Sequence, residues 1–160
     1  MKYVLNVLVI IGLFAGSTVW AQDKATPKDV YDLVLKAYEV VQSLSDEALP
    51  AFNDPKGEFV YKDTYVFVQQ CPKYVVAHPF ALDKLKGKDL REKFPFQTTL
   101  CEGGKNPNGN WVEYQWPKPG SKELSRKISF VIQVVDTPYT VAAGIYNEEV
   151  SIEELQKTVK

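Results

Sequence analysis

Three alternating runs carry side chains with binding chemistry. In the run Ser125 to Val135, Lys127, Ser129, Val131 and Gln133 point one way and Ile128, Phe130, Ile132 and Val134 the other. In Trp111 to Trp116, the set Val112, Tyr114 and Trp116 alternates with Trp111, Glu113 and Gln115. In an earlier run Tyr65 and Phe67 alternate with Val66 and Val68. A face that offers Lys127 with tyrosine and tryptophan neighbours is a cationic point inside an aromatic frame. Such a frame suits a small carboxylate, because the ammonium and hydroxyls take the charge and the rings enclose a short apolar tail. A lone lysine on a strand is ordinarily solvated, and alternation by itself leaves that reading open.

Catalytic chemistry finds less support. His78, the single histidine, precedes Pro79 at the end of a strand-like run. A nucleophile elbow, Gly-x-Ser-x-Gly, is absent from the sequence. Hydrogen bonding in a pocket, or anchoring of the Pro79 turn, therefore suits His78 better than general-base work. Asp46, Glu47, Asp54, Glu58 and Asp63 do not recur at the spacing of a calcium loop or a paired-carboxylate site. One histidine and two cysteines make no zinc cluster and no haem-attachment motif. No catalytic residue, metal or cofactor is expected. With 19 basic and 20 acidic side chains the net charge is −1, which argues against a nucleic-acid partner.

The elements that must position these residues fit one domain. At 160 residues and 45% hydrophobic content the chain is globular. Lys2, the apolar run Val4 to Ala15 and the small or aliphatic residues around Val19-Trp20-Ala21 read as a secretory signal peptide cut after Ala21. Residues 1–21 are thus set apart from a mature, exported domain spanning 22–160. In an oxidising compartment Cys71 and Cys101 are more often bridged than free, with two buried thiols as the other reading. Cys71 sits in a turn before Pro72, and Cys101 in a Gly-rich loop before Gly103-Gly104.

Thr26-Pro27 opens a helix, and Val30, Leu33, Val34, Ala37, Tyr38, Val41 and Leu44 form one apolar stripe along it. A shorter helical piece follows over Asp46 to Phe52. From there the period changes to two. Thr64 to Gln69 and Tyr74 to His78 read as a hairpin around Cys71-Pro72-Lys73. Asp83 to Leu100 reads as a loop with a helical turn around Asp89 to Lys93. Three strands follow, over Trp111 to Trp116, Ser125 to Val135 and Tyr139 to Tyr146, and Ser151 caps a short helix over Ile152 to Val159. One long helix and about five strands joined by tight turns give an α+β class with an antiparallel sheet. The helix covers one sheet face and leaves the other free.

The stretch Ala51-Phe52-Asn53-Asp54-Pro55-Lys56-Gly57-Glu58-Phe59-Val60-Tyr61, with Tyr65-Val66-Phe67-Val68 and Val76-Ala77-His78-Pro79, resembles the first half of a single-Cache sensor domain. Trp111 to Pro119, Lys127 to Val131 and Ala143-Gly144-Ile145-Tyr146 resemble its second half, in the same order. The resemblance spans the chain from the long helix to Tyr146. It implies a PAS-like extracytoplasmic domain with a pocket on the face away from the helix, under the segment Leu82 to Gly109. It also implies a periplasmic location and a small organic ligand, notably a short carboxylic acid. Carried over by position, the pocket residues are Tyr65, Phe67, His78, Tyr114, Trp116 and Lys127. Two departures stand out. Gln69-Gln70-Cys71-Pro72-Lys73 replaces the acidic, glycine-containing turn common in the family, and the expected arrangement lacks the second membrane helix and cytoplasmic output of the family's common context. The sensor reading then sends the signal through a partner, a membrane chemoreceptor or histidine kinase. The alternative is an interaction scaffold that keeps the fold without a ligand.

Overall fold

The computed structural model describes residues 24–146 and 149–159; the leader expected over residues 1–21 lies outside the described residues. Helix α1 spans Pro27–Leu44. Its start is fixed by a reciprocal cap: Asp29 N–H donates to Thr26 Oγ1 at 3.1 Å, and Thr26 N–H donates to the Asp29 carboxylate at 2.8 Å. The Thr26 amide, and then the Lys62 ammonium at 2.9 Å, hold the Asp29 carboxyl down at about 2. Lys62 lies in the turn between the first two strands, so this ion pair ties the helix start to the sheet. A 3₁₀ helix, Ser45–Asn53, continues the chain.

Six strands follow, all paired antiparallel: β1 (Val60–Tyr61), β2 (Thr64–Gln70), β3 (Tyr74–Ala77), β4 (Asn110–Pro117), β5 (Leu124–Gln133) and β6 (Tyr139–Ile145). The order is β1-β2-β6-β5-β4, with β3 paired to the far end of β2. The sixth strand, one beyond the expected five, is the two-residue β1, too short to show alternation. Short helices α2 (Leu82–Leu85) and α3 (Phe96–Gly104) lie between β3 and β4, and α4 (Ile152–Gln156) closes the chain. The Ser151 hydroxyl accepts the Glu154 N–H at 3.4 Å and starts α4, which ends three residues before the expected Val159.

Alternation divides the sheet into two faces. Val30, Val34, Ala37 and Val41 of α1 pack on Val66, Val68, Ile128, Phe130 and Val141. The opposite face carries Tyr65, Phe67, Val112, Tyr114 and Val131, with Leu100 of α3 packed against them. The loop expected over Asp83 to Leu100 is therefore largely ordered, and its second half runs into a helix. Only one helical turn forms near Asp89 to Lys93, closed by Phe94 N–H on Leu90 O at 2.6 Å.

Cys71, in the β2–β3 turn, and Cys101, inside α3, are joined by a disulfide with their Cα atoms 5.7 Å apart. Cys101 thus sits in a helix and not in the Gly-rich loop expected for it. A helix of nine residues is marginal on its own, and the bridge pins it to the sheet. Closing a loop of this length contributes about 3–4 kcal/mol in the chain-entropy picture. Reduction is expected to lower the unfolding midpoint of the wild type and leave a Cys71→Ser, Cys101→Ser double variant unmoved. Equal midpoints for oxidised and reduced wild type would remove this role.

Candidate functional site

Strand β5 sets the site. Its register puts Tyr114 opposite Lys127 and Val112 opposite Ser129 on β4, and Gly144 of β6 opposite Ser129 on the other side. Lys127 is wholly buried on the face away from α1. Its Nζ lies 4.0 Å from the ring centre of Tyr65 and 5.2 Å from those of Phe67 and Tyr146. Three ring faces attract a cation, yet Nζ has no hydrogen-bond partner among the described residues. Burial pulls the ammonium pKa down to about 7.

Gly144 makes the room. A Cβ there would stand 2.2 Å from Ser129 Oγ, 2.7 Å from Ile128 O and 2.9 Å from Lys127 Cε. Ser129 Oγ in turn shares a 2.8 Å hydrogen bond with Tyr114 OH. Gly144→Ala is expected to cost at least about 1–3 kcal/mol through overpacking, read as a lower urea midpoint at constant m; an unchanged midpoint would show that the sheet relaxes freely.

The surrounding hydroxyls are held by one another. Tyr146 OH donates to Pro117 O at 2.9 Å, so in the 3.2 Å contact between the two phenols Tyr65 is the donor. Burial pushes Tyr65 up to about 12 and raises Tyr114 and Tyr146 as well. His78 follows β3, and its Nδ1 accepts the N–H groups of Phe80 and Ala81, both at 3.1 Å. The ring proton of neutral His78 is therefore on Nε2. Burial, and then the nearby Lys127 charge, hold its pKa down at about 3. A neutral imidazole with Nδ1 already occupied is a poor general base and a fixed donor.

Lys127, Tyr65, Phe67, His78, Tyr114 and Trp116 all line one cavity. The same cavity is lined by Gln69 of β2 and Gln97 of α3, whose Oε1 atoms are also buried without a partner. Among the described residues, three of four such orphaned side-chain atoms therefore belong to one cavity. The fourth, Trp111 Nε1, belongs to the packing under α1. Sequence reasoning missed Gln69, Val75, Leu85, Phe96 and Gln97 of this lining, and the Tyr146 ring beside Lys127. Gln69 continues the Tyr65, Phe67 alternation and was within its reach; Tyr146 follows the end of β6; Gln97 depends on α3. The cavity volume is about 20 Å³, and one water needs roughly 10–15 Å³ by that measure. Among the described residues no cluster of His, Cys, Asp and Glu could hold a metal ion, and no helix is long and apolar enough to cross a membrane.

A helix-backed antiparallel sheet whose free face encloses an unpartnered cation among aromatic rings has the build of a PAS-like small-molecule sensing domain. The sequence model for the Cache domain matches residues 36–151. The chain belongs to the Cache domain family, whose members are sensory, ligand-binding domains. Solved structures agree in fold. A Cache chemosensory domain described for its carboxylic acid recognition is 21% identical with a TM-score of 0.61, over 76% of this chain and 92% of its own. A methyl-accepting chemotaxis protein from Vibrio parahaemolyticus is 16% identical with a TM-score of 0.62, over 78% and 90%. The periplasmic sensor domain of a chemotaxis protein is 24% identical with a TM-score of 0.58, over 76% and 90%.

Proposed function

We propose that this protein is a periplasmic sensor for a short carboxylic acid, whose carboxylate is held by Lys127. The carrying observation is the buried Nζ with no partner among the described residues, in a cavity where the Gln69 and Gln97 oxygens likewise find none. A buried unpaired amine is costly unless something completes it. A carboxylate does so, with the Nε2–H of His78 as a second donor. A hydroxyl beside the carboxylate would satisfy an amide oxygen. Carboxylic acid recognition in a structural relative of the same fold adds support.

In this reading the leader is cleaved after Ala21, and α2 with the turn that follows it closes on the ligand, while the disulfide keeps α3 on the sheet. That closure changes the surface offered to a membrane chemoreceptor or histidine kinase, to the extent that the ligand prefers the closed state. The tight cavity favours the rival reading, a scaffold without a ligand, but a scaffold has no use for an unpaired buried lysine. The test is a thermal-shift screen of the purified protein against short carboxylates, hydroxy and keto acids, amino acids and amines. A ligand at 100 times its Kd adds about 2.7 kcal/mol. Stabilisation by carboxylates and not by amines supports the proposal; silence across the carboxylates, with no copurified ligand, favours the scaffold.

A further inference from the structure

A second concavity lies directly outside the first and shares Tyr65, His78, Leu85 and Trp116 with it. At about 540 Å³ it is far larger. Its inner wall is apolar, from Leu85, Leu90, Phe94 and Trp116, while Lys84, Lys88, Lys93, Lys118 and Lys122 also line it, and among the described residues no acid does. None of these five lysines forms an ion pair among the described residues. They come from two sides: Lys84 from α2 with Lys88 just beyond it, and Lys118 and Lys122 from the β4–β5 turn. Lys118 Nζ lies 6.0 Å from the Tyr146 ring centre, the ring that faces Lys127 Nζ as well.

Resting on the sensor reading, we infer that the two compartments form one site for an organic dianion. One carboxylate reaches Lys127, and a second anionic group lies among the lysines of the outer chamber. The inner cavity has room for little more than a water molecule, so a ligand anchored on Lys127 must extend outward. What it meets there is an apolar wall under a ring of one sign of charge, and such a cleft concentrates and holds anions.

The test compares chain-matched pairs by calorimetry on the purified protein: succinate with butyrate, and glutarate with valerate. The dianion of each pair should bind at least about tenfold more tightly at low salt, with the preference shrinking as salt rises. In a K84Q/K118Q/K122Q variant, whose altered side chains are all exposed, the preference should fall to within about threefold. Equal binding of both members by the wild type overturns the dianion inference and leaves the carboxylate sensor standing. So does a preference that survives in the triple variant. Binding of none of the four overturns the dianion inference, and the carboxylate sensor then stands or falls by the thermal-shift screen.

Discussion

Lys127→Met is expected to abolish carboxylate binding and to make the protein more stable at the same time. Truncating one member of a buried charge pair costs about 2–5 kcal/mol of affinity, so binding should weaken by roughly 30-fold or more. Stability moves the other way because the ligand-free protein holds a fully buried ammonium with no hydrogen-bond partner among the described residues. Its pKa falls from 10.5 to about 7 through burial. At pH 6 the folded state carries a desolvated charge that the unfolded state hydrates freely, a penalty on the order of several kcal/mol. Methionine keeps the length of the stem, fits among Tyr65, Phe67 and Tyr146, and has nothing to desolvate. The unfolding free energy should rise by at least about 1 kcal/mol at pH 6. Calorimetry with the best ligand and urea unfolding check both halves. Unchanged affinity would remove Lys127 from the site, and lower stability would show that the ammonium is held by contacts that outweigh its desolvation.

That pairing of lost binding with gained stability marks a residue kept for function. It also explains which parts of the site were legible in the sequence. Strand alternation is a local property. Once Ser125 to Val135 is read as a strand, Lys127 and Phe130 must face opposite ways, and they do. Alternation paired Tyr65 with Phe67 and Tyr114 with Trp116; the family resemblance put both pairs on the Lys127 side, where they lie.

Helix α3 was not legible, for two physical reasons. Its first residue follows Pro95 with no side-chain cap, so it carries no start signal. Its last residues, Gly103 and Gly104, look like a loop but serve close packing. A Cβ on Gly103 would stand 2.9 Å from Val112 Cγ2, and one on Gly104 would stand 2.9 Å from Thr140 Cγ2. Glycine there lets the helix end lie on the sheet, which is a tertiary demand that no local pattern records. Gln97 was lost with the helix. Its neighbour Phe96 stacks on Tyr114 at 4.3 Å between ring centres, and so α3 forms one side of the cavity. The disulfide joins the two regions that sequence reasoning connected least well, the β2–β3 turn and this helix.

Carboxylate affinity is expected to fall about tenfold per pH unit above pH 7, and Lys127 alone should set that slope. Among the described residues, the titratable groups facing its Nζ are His78, Tyr65, Tyr114 and Tyr146. His78 is pushed down to about 3 and stays neutral above pH 4; Tyr65 is pushed up to about 12, and burial raises the other two phenols as well. Between pH 5 and 9 only the lysine, at about 7, changes charge. The anion needs its protonated form, so the apparent Kd should be about 100-fold larger at pH 9 than at pH 6. At pH 8 binding should take up nearly one proton per ligand, measurable by calorimetry in buffers of different ionisation enthalpy. The ligand-free protein responds with the opposite sign. A lysine whose folded pKa lies below its unfolded 10.5 binds fewer protons in the folded state over that interval, so stability rises with pH from about 7 towards 10.5. The full penalty is present only below pH 7. Lys127→Met should flatten the stability slope. A wild-type affinity that is constant from pH 6 to 9 would show that the bound anion is held by neutral donors and not by the lysine.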